Sequence, residues 1–149
     1  MADDRPDPVN LDPFAVGRVC LCLAVRKAAR SVARRYDEAF RPFGITSGQF
    51  TVLMGIAAER PIGMARLAEE LGMDRTSLIA ALKPLERDGF VERREDPRNA
   101  RQRHFRLTAK GRDVLDATLP VWTRTQEALM AHVAPADIDL LRSGLRALS

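Results

Sequence analysis

The spacing of apolar residues predicts a chain made mostly of helices. From residue 14 to about residue 40, apolar side chains recur at alternating steps of three and four, which predicts one long helix. Pro42 and Gly44 end this helix. Spacing of this kind is typical of a helix whose seam packs against another helix. The stripe contains Cys22, Val25, Ala29, Val32, Tyr36, Ala39 and Phe43.

A second helix is expected after Gly44. Thr46 and Ser47 are its candidate N-caps, because a short hydroxyl side chain accepts a hydrogen bond from a free backbone N–H of the first turn. Residues 59–61 form the break that follows. The predicted apolar face of this helix contains Phe50, Leu53, Met54 and Ala57.

Two further short helices give the first functional signal. One covers residues 64–71, and the other covers residues 75–88, between the candidate N-cap Asp74 and the terminating Gly89. Gly72 supplies a tight turn between them. Two short helices joined by a glycine-containing turn indicate a helix-turn-helix.

The pattern changes from helical to strand-like between residues 90 and 107. Residues 90–94 and 103–107 read as strands, and the residues between them are rich in turn formers. Two of the residues between the strands, Arg98 and Arg101, are arginines. The segment therefore predicts a β-hairpin with a basic tip.

Two helices complete the chain. Thr108 is the candidate N-cap of a long helix that Pro120 should kink, because its ring removes a backbone donor. Pro135 opens a last helix. The stripe of the long helix contains Leu115, Thr118, Trp122, Leu129 and Val133, and that of the last helix contains Ile138, Leu141, Leu145 and Leu148.

Together these elements predict a mainly α fold with a small β-hairpin wing: a winged helix-turn-helix flanked by N- and C-terminal dimerisation helices. We expect a flexible arm over residues 1–13, a dimerisation helix over 14–44, a DNA-binding lobe over 45–107 with its wing at 90–107, and further dimerisation helices over 108–149. The apolar seams at both ends exceed what a small domain needs, which indicates a homodimer.

Composition limits the class of protein. The chain has 149 residues, of which 46% are apolar, enough for one domain with a core. It has no apolar run long enough to span a membrane, so no membrane association is expected. Its first residues are acidic and rich in proline, unlike a signal or transit peptide, so a cytoplasmic location is expected.

Charge is informative through its distribution. Lys and Arg number 24 against 20 acids, a net charge of +4, and only three of the 24 are Lys. Codon bias in a GC-rich genome would explain the excess of Arg over Lys. A phosphate-binding role requires local clustering. Seven arginines do cluster: Arg87, Arg93, Arg94, Arg98, Arg101, Arg103 and Arg106.

In order and spacing, four motifs resemble the multiple-antibiotic-resistance regulator (MarR) family. They are ITSGQFTVL at 45–53, LAEELGMDRT at 67–76, LERDGFV at 85–91, and the segment from Asp-Pro at 96–97 to LTAKG at 107–111. The resemblance covers about residues 14–148. It implies a dimeric winged-helix repressor or activator that a small molecule or oxidation releases from DNA.

The helix over 75–88 is expected to enter the major groove by its N-terminal half, because only a helix or ribbon fits there. Leu78, Leu82 and Leu85 should face the core. A dimer predicts a pseudo-palindromic operator of double-stranded DNA with half-sites about 10 bp apart. The outward, DNA-binding side chains would be Arg75, Thr76, Ser77, Ile79, Ala80 and Lys83.

The wing supplies three further candidates. Arg101 is expected in the minor groove, and Arg98 and Arg103 on nearby phosphates. In the family the tip is often Asp followed by two basic residues, whereas this chain has Asn99, Ala100 and Arg101. An amide therefore stands where an acid would brace the arginine.

The two cysteines do not predict a metal site. Cys20 and Cys22 stand two residues apart on a helix, so their side chains point roughly 200° apart. His104 and His132 show no ligand spacing. No metal or other cofactor is expected.

Two kinds of signal remain open. Some relatives resemble organic-hydroperoxide sensors, and alignment on Ile45 places Cys22 on their reactive cysteine and Tyr36 on a tyrosine that hydrogen-bonds it. These residues lie roughly 21 Å apart along one helix, so they would meet only across a dimer. Alternatively, Cys22 simply packs the seam. A small anionic or aromatic effector is the other signal, with Arg30, Arg34 and Trp122 as candidate pocket residues.

Other functional classes fit less well. The sequence has no catalytic triad, P-loop or glycine-rich fingerprint, so no enzyme activity is expected. A thiol peroxidase acting through Cys22 is the least remote form of catalysis. An architectural protein would bind unrelated duplexes about equally, whereas a regulator shows a large specificity ratio.

Overall fold

The structure, a computed structural model, describes residues 13–58, 61–96 and 99–148. Apart from Pro13, the predicted arm lies outside these residues, as do Arg98 and residues 59 and 60 of the predicted break. The side chains of residues 99–102, and with them that of Arg101, also lie outside the description. None of the described helices is both long enough and apolar enough to cross a membrane.

The chain divides into two compact units between Val32 and Ala33. In the first unit, the long helix predicted from residue 14 is interrupted at Cys20, which separates α1 (Pro13–Val19) from α2 (Leu21–Phe40). The interruption is slight, because backbone hydrogen bonds of helical spacing run from Cys20 N to Val16 O and from Ala24 N to Cys20 O. Most apolar side chains of this unit face solvent.

The second unit carries the helix-turn-helix and the wing. Two 3₁₀ turns, Arg41–Phe43 and Pro135–Asp137, precede α3 and α7. The sheet order is β1-β3-β2, with antiparallel pairing throughout. The elements are α3 (Ser47–Ala58), β1 (Ile62–Gly63), α4 (Met64–Leu71), α5 (Arg75–Arg87), β2 (Val91–Asp96), β3 (Asn99–Leu107), α6 (Ala109–Met130) and α7 (Ile138–Ala147).

Capping side chains set three helix starts. Thr46 and Gln49 form a reciprocal capping box: Thr46 N–H donates to Gln49 Oε1 at 2.8 Å, and Gln49 N–H donates to Thr46 Oγ1 at 3.2 Å. Thr46 is therefore the N-cap of α3, and Ser47 is its first helical residue. Asp74 and Thr108 cap α5 and α6, as predicted.

The first strand was not predicted. Ile62 pairs with Phe105 and Gly63 with His104, so β1 adds a third strand at the edge of the hairpin. Two residues carry no alternation pattern, which is why the sequence does not indicate this strand. Its pairing fixes the start of α4 beside the wing.

The core lies where α3 packs against α4, α5, α6 and β3. Leu78, Leu82 and Leu85 are buried, which confirms the predicted inner face of α5. The face predicted for α3 was partly wrong, because Met54 is 39% exposed while Val52 and Ile56 are buried. A central helix is covered from several sides, so one stripe does not describe its buried residues.

The C-terminal helices follow the prediction with one difference. Helix α6 ends at Met130, so Val133 of the predicted stripe lies beyond it. Pro120 lies inside the helix, and Pro135 begins the 3₁₀ turn that leads into α7. The leucines of α7 face solvent in the single chain.

Candidate nucleic-acid interface

A basic groove of about 530 Å³ lies at the junction of α4, α5 and the wing. The N-terminal ends of the two helices meet strand β3 there, since residues 63–65 and Phe105 form part of its wall. Five basic side chains line the groove: Arg66, Arg75, Arg93, Arg103 and His104. A concentration of positive charge in a concave surface attracts phosphate.

Two of these arginines are already neutralised by acids. Arg66 Nη2 lies 2.6 Å from Glu70 Oε1. Arg93 makes a two-pronged ion pair with Glu86, with Nε to Oε1 and Nη2 to Oε2 both at 3.0 Å. Among the described residues, no ion pair reaches Arg75 or Arg103. These two guanidinium groups are therefore the ones whose charge is available to an anion.

The N-terminal half of α5 stands open beside this groove. Of the six side chains predicted to face outward, five are exposed: Arg75, Thr76, Ser77, Ala80 and Lys83. The sixth, Ile79, is half-buried, so its predicted contact with DNA stays a prediction. Ile79 follows the buried Leu78 and precedes Leu82 by three positions, so it lies at the edge of the inner face.

Ser77 has a structural task at the start of α5. Its N–H donates to Asp74 Oδ1 at 2.9 Å, and its hydroxyl donates to Asp74 Oδ2 at 2.6 Å. These hydrogen bonds hold the pKa of the Asp74 carboxyl below its usual range. Because the Ser77 hydroxyl donates its hydrogen to this cap, only its lone pairs are available to another hydrogen-bond partner.

The sequence predicted Arg75 and Arg103 as DNA-binding residues and included Arg93 in the arginine cluster, but it assigned no DNA contact to Arg66, Arg93 or His104. Arg66, Arg93 and His104 come from α4, β2 and β3, and only the fold brings them together. The one available signal was pleat alternation, which places Arg93 on the same face of the hairpin as Phe105 and Arg103.

The proposed redox residues lie outside this groove. Cys22 is exposed, and Cys20 is half-buried and accepts a hydrogen bond from Leu23 N–H at 3.4 Å. Tyr36 donates its hydroxyl hydrogen to Gln126 Oε1 at 2.5 Å, and burial raises the pKa of this phenol. Within one chain the Tyr36 hydrogen is therefore committed to α6, and a pairing with Cys22 stays a prediction.

The candidate effector residues do not line the groove either. Arg30 and Arg34 are exposed, and Trp122 is 37% exposed. The structure also shows a contact that the sequence did not indicate, in which Arg35 Nη1 is 3.1 Å from His132 Nε2. In the described part of the chain, no group of three His, Cys, Asp or Glu side chains is placed to hold a metal ion.

Comparison with known proteins agrees with this geometry. Residues 45–102 match the model of the MarR family. The chain is similar to the HTH-type transcriptional regulator SarZ of Staphylococcus epidermidis, with 26% identity over 63% of this chain. This alignment spans 64% of the length of SarZ.

Two solved structures are similar over nearly their whole length. The M. tuberculosis transcriptional regulator MosR, in complex with DNA, is 36% identical, with a TM-score of 0.79, over 87% of this chain and 92% of its own. The transcriptional repressor CouR, bound to a 23-mer DNA duplex, is 26% identical, with a TM-score of 0.81, over 93% of this chain and 98% of its own. The winged helix-turn-helix that the residues predicted is therefore the shared fold, and the chain belongs to the MarR family of transcriptional regulators.

Proposed function

We propose that this chain represses transcription by binding a pseudo-palindromic operator as a homodimer. The observation that carries the proposal is the groove in which Arg75 and Arg103, which make no ion pair with any described residue, lie beside the exposed start of α5. That MosR and CouR, which are similar to this chain, were each solved bound to DNA supports a DNA-binding role.

In this mode, α5 enters the major groove by its first turns. Arg75 donates to a guanine or a phosphate, Thr76 and Ser77 face bases or backbone, and Ala80 contacts a thymine methyl. Lys83 lies one turn further on and reaches a phosphate. The half-buried Ile79 contributes at most the edge of its side chain.

The wing contacts the adjacent minor groove and the phosphate backbone of the DNA. Arg103, which lines the basic groove, contacts a phosphate in this mode. By sequence, Arg98 and Arg101 belong to the wing tip, and we propose Arg98 on a phosphate and Arg101 in the minor groove. Each phosphate contact makes binding more sensitive to salt.

Exposed apolar surface supports the homodimer. In the first unit, Phe14 is 81% and Val19 83% exposed. In the second unit, Leu140, Leu141 and Leu148 of α7 are 71%, 45% and 63% exposed. Leucines at helical spacing on an exposed face are stabilised when a second copy covers them.

An effector would release the DNA by shifting the equilibrium between two spacings of the DNA-binding lobes. One candidate is a small anionic or aromatic molecule bound near Arg30, Arg34 and Trp122. The other is oxidation of Cys22, whose exposed thiol is accessible to a hydroperoxide. On this proposal the protein acts in the cytoplasm, where it meets its operator DNA. It binds the DNA without catalysing a reaction.

The test is an anisotropy titration with the duplex upstream of the chain's own gene and with a scrambled duplex, using reduced and hydroperoxide-treated protein. Preference for the native duplex, lost on oxidation and restored by thiol, supports the redox-released repressor. Preference that is indifferent to oxidation rejects the redox signal and leaves the small-molecule one. Equal affinity for both duplexes rejects operator binding in favour of an architectural role. Repeated turnover of hydroperoxide by the protein would indicate an enzyme.

A further inference from the structure

We propose that the ion pair between Glu86 and Arg93 positions the wing relative to α5, the helix proposed to enter the major groove. Glu86 is then a positioning residue for operator binding, and Arg93 holds the wing in place without serving as a phosphate ligand. This inference rests on the proposed DNA-binding function and specifies how its site is kept in shape.

The pair joins two different elements. Glu86 lies in the last turn of α5, and Arg93 lies in β2, seven residues further along the chain. Both prongs measure 3.0 Å, from Nε to Oε1 and from Nη2 to Oε2. A two-pronged pair of this kind fixes the orientation of the guanidinium plane as well as its distance.

A third element is held by the same side chain. The Arg93 guanidinium carbon lies 5.3 Å from the centre of the Phe105 ring, which belongs to β3 and is 1% exposed. Arg103 lies two residues before Phe105 on the same face of this strand. The orientation of Arg93 is therefore coupled to the strand that presents Arg103 to the groove.

The covalent link between α5 and β2 is short, but by itself it is a single hinge. It passes through Gly89, whose φ of 75° is left-handed. The Glu86–Arg93 pair adds a direct side-chain connection between α5 and β2, besides the hydrogen bonds that Thr108 and Lys110 make to the turn. It restrains rotation of the hairpin on the side where Arg93 lines the groove.

The charges distinguish this role from direct DNA contact. If Arg93 were a phosphate ligand, Glu86 would weaken binding by neutralising it, and removing the acid would strengthen binding. If the pair positions the wing, removing the acid weakens binding although the surface becomes more positive. The two roles therefore predict effects of opposite sign.

The chain offers a matched control. Glu92 and Arg94 make the same kind of two-pronged pair, at 3.0 and 3.1 Å, but both residues lie in β2. Glu92→Gln removes one acid and one pair from the wing without disconnecting two elements. It reports what the loss of charge alone does to DNA affinity.

The experiment measures operator and scrambled-duplex affinity over a range of salt for the full chain and for Glu86→Gln, Arg93→Lys and Glu92→Gln. We expect Glu86→Gln and Arg93→Lys each to weaken operator binding by up to about fivefold, the upper range for a partly exposed ion pair. The salt dependence should keep the slope of the unmodified chain, because no phosphate contact is lost. Glu92→Gln should bind as the unmodified chain does or slightly tighter.

A charge reversal separates positioning from misfolding. Glu86→Arg and Arg93→Glu should each weaken binding, and the double variant should recover most of the loss. Thermal melts identify any single variant that fails to fold, and recovery in the double variant then carries the test.

Three results overturn the proposal in distinguishable ways. Tighter binding by Glu86→Gln, with Arg93→Lys binding as the unmodified chain does, makes Arg93 a phosphate ligand, because a lysine keeps the charge on the phosphate. Equal effects of Glu86→Gln and Glu92→Gln remove the positioning role while operator binding stands. No preference of the unmodified chain for its operator rejects the proposed function itself, and the positioning role with it.

Discussion

Arg75 and Arg103 differ from the other arginines of the groove in making no ion pair with an acid among the described residues. Arg66 and Arg93 also line the groove, but ion pairs with Glu70 and Glu86 neutralise their charges. The number of basic side chains in a concave surface therefore overstates the number available to bind phosphate. Only a basic side chain that is not paired with an acid has its charge available.

Replacing either free arginine should weaken operator binding. Arg75→Ala and Arg103→Ala should each lower the slope of log affinity against log salt by about one, because each removes one phosphate-facing charge. Arg75→Ala should also change base preference, and Arg101→Ala should weaken binding to all duplexes alike. Anisotropy titrations from low to high salt measure these slopes.

The control is Arg124→Ala, an exposed arginine of α6 that does not line the groove. It should leave the slope unchanged. An unchanged slope in Arg75→Ala or Arg103→Ala would contradict a phosphate contact at that residue, and unchanged base preference in Arg75→Ala would contradict base reading.

Asp74 is a second residue whose effect is local and pH-dependent. Its carboxylate accepts two hydrogen bonds from Ser77, so its pKa is lower in the folded chain than in the unfolded one. A carboxyl group with a depressed pKa stabilises the fold above its unfolded pKa, near 4, and this contribution is lost as pH falls through the folded pKa.

We therefore expect Asp74→Ala to melt at a lower temperature than the unmodified chain at pH 7, with a difference that shrinks below about pH 4. Asp74→Asn is the matched variant, because its amide oxygen still caps the helix but does not titrate in this range. Melting curves from pH 7 to pH 3 measure both. A difference between the Ala and unmodified chains that does not depend on pH would contradict a carboxylate cap.

At the scale of elements, the start of α6 is hydrogen-bonded to the turn that follows α5. Thr108 Oγ1 donates to Gly89 O at 2.7 Å, and Lys110 Nζ donates to Asp88 O at 2.8 Å. The Lys110 ammonium also lies 4.7 Å from the centre of the Phe90 ring. Helix α6 therefore contacts the turn between α5 and the wing directly.

This contact leaves no room for a side chain at Gly111. A Cβ built there would lie 2.0 Å from the Phe90 carbonyl oxygen, which is backbone and cannot swing away. Gly111→Ala should therefore destabilise the fold by roughly 3 kcal/mol, in the upper range for overpacking. Denaturant unfolding measures the loss.

Gly48→Ala is the comparison for this variant, because its Cβ would meet only Thr46 Oγ1, at 3.9 Å. We expect its stability to be equal or higher, since Ala is the better helix former. Equal stability of the two variants would show that α6 and the turn are not in firm contact.

At the scale of the whole molecule, the exposed leucines of α7 carry the assembly prediction. Leu141→Glu places a charge in the apolar stripe that a second copy is proposed to cover, and burying an unpaired charge is unfavourable. We expect this variant to sediment as a monomer at concentrations where the unmodified chain is a dimer, and to bind operator more weakly.

Ser143→Glu adds the same charge to α7 at an exposed polar position. It should remain a dimer. A Leu141→Glu variant that sediments like Ser143→Glu would contradict the assignment of this helix to the dimer interface.

The sequence alone determined the order and kind of most elements. Helix starts at Thr46, Asp74 and Thr108 depend on hydrogen bonds that reach three residues, and the left-handed turns depend on Gly72 and Gly89 themselves. The inner face of α5 follows from helical period. Such features are set by neighbours along the chain, which is why the spacing of residues was enough to predict them.

Only the tertiary structure decided which distant residues meet. Strand β1 exists because Ile62 pairs with Phe105, and Met54 is exposed because α3 is covered on its other sides. The groove likewise draws its charges from four elements, and the Glu86–Arg93 pair withdraws one of them. Long-range packing selects these contacts, and the period of one helix or strand carries no record of which other element will lie against it.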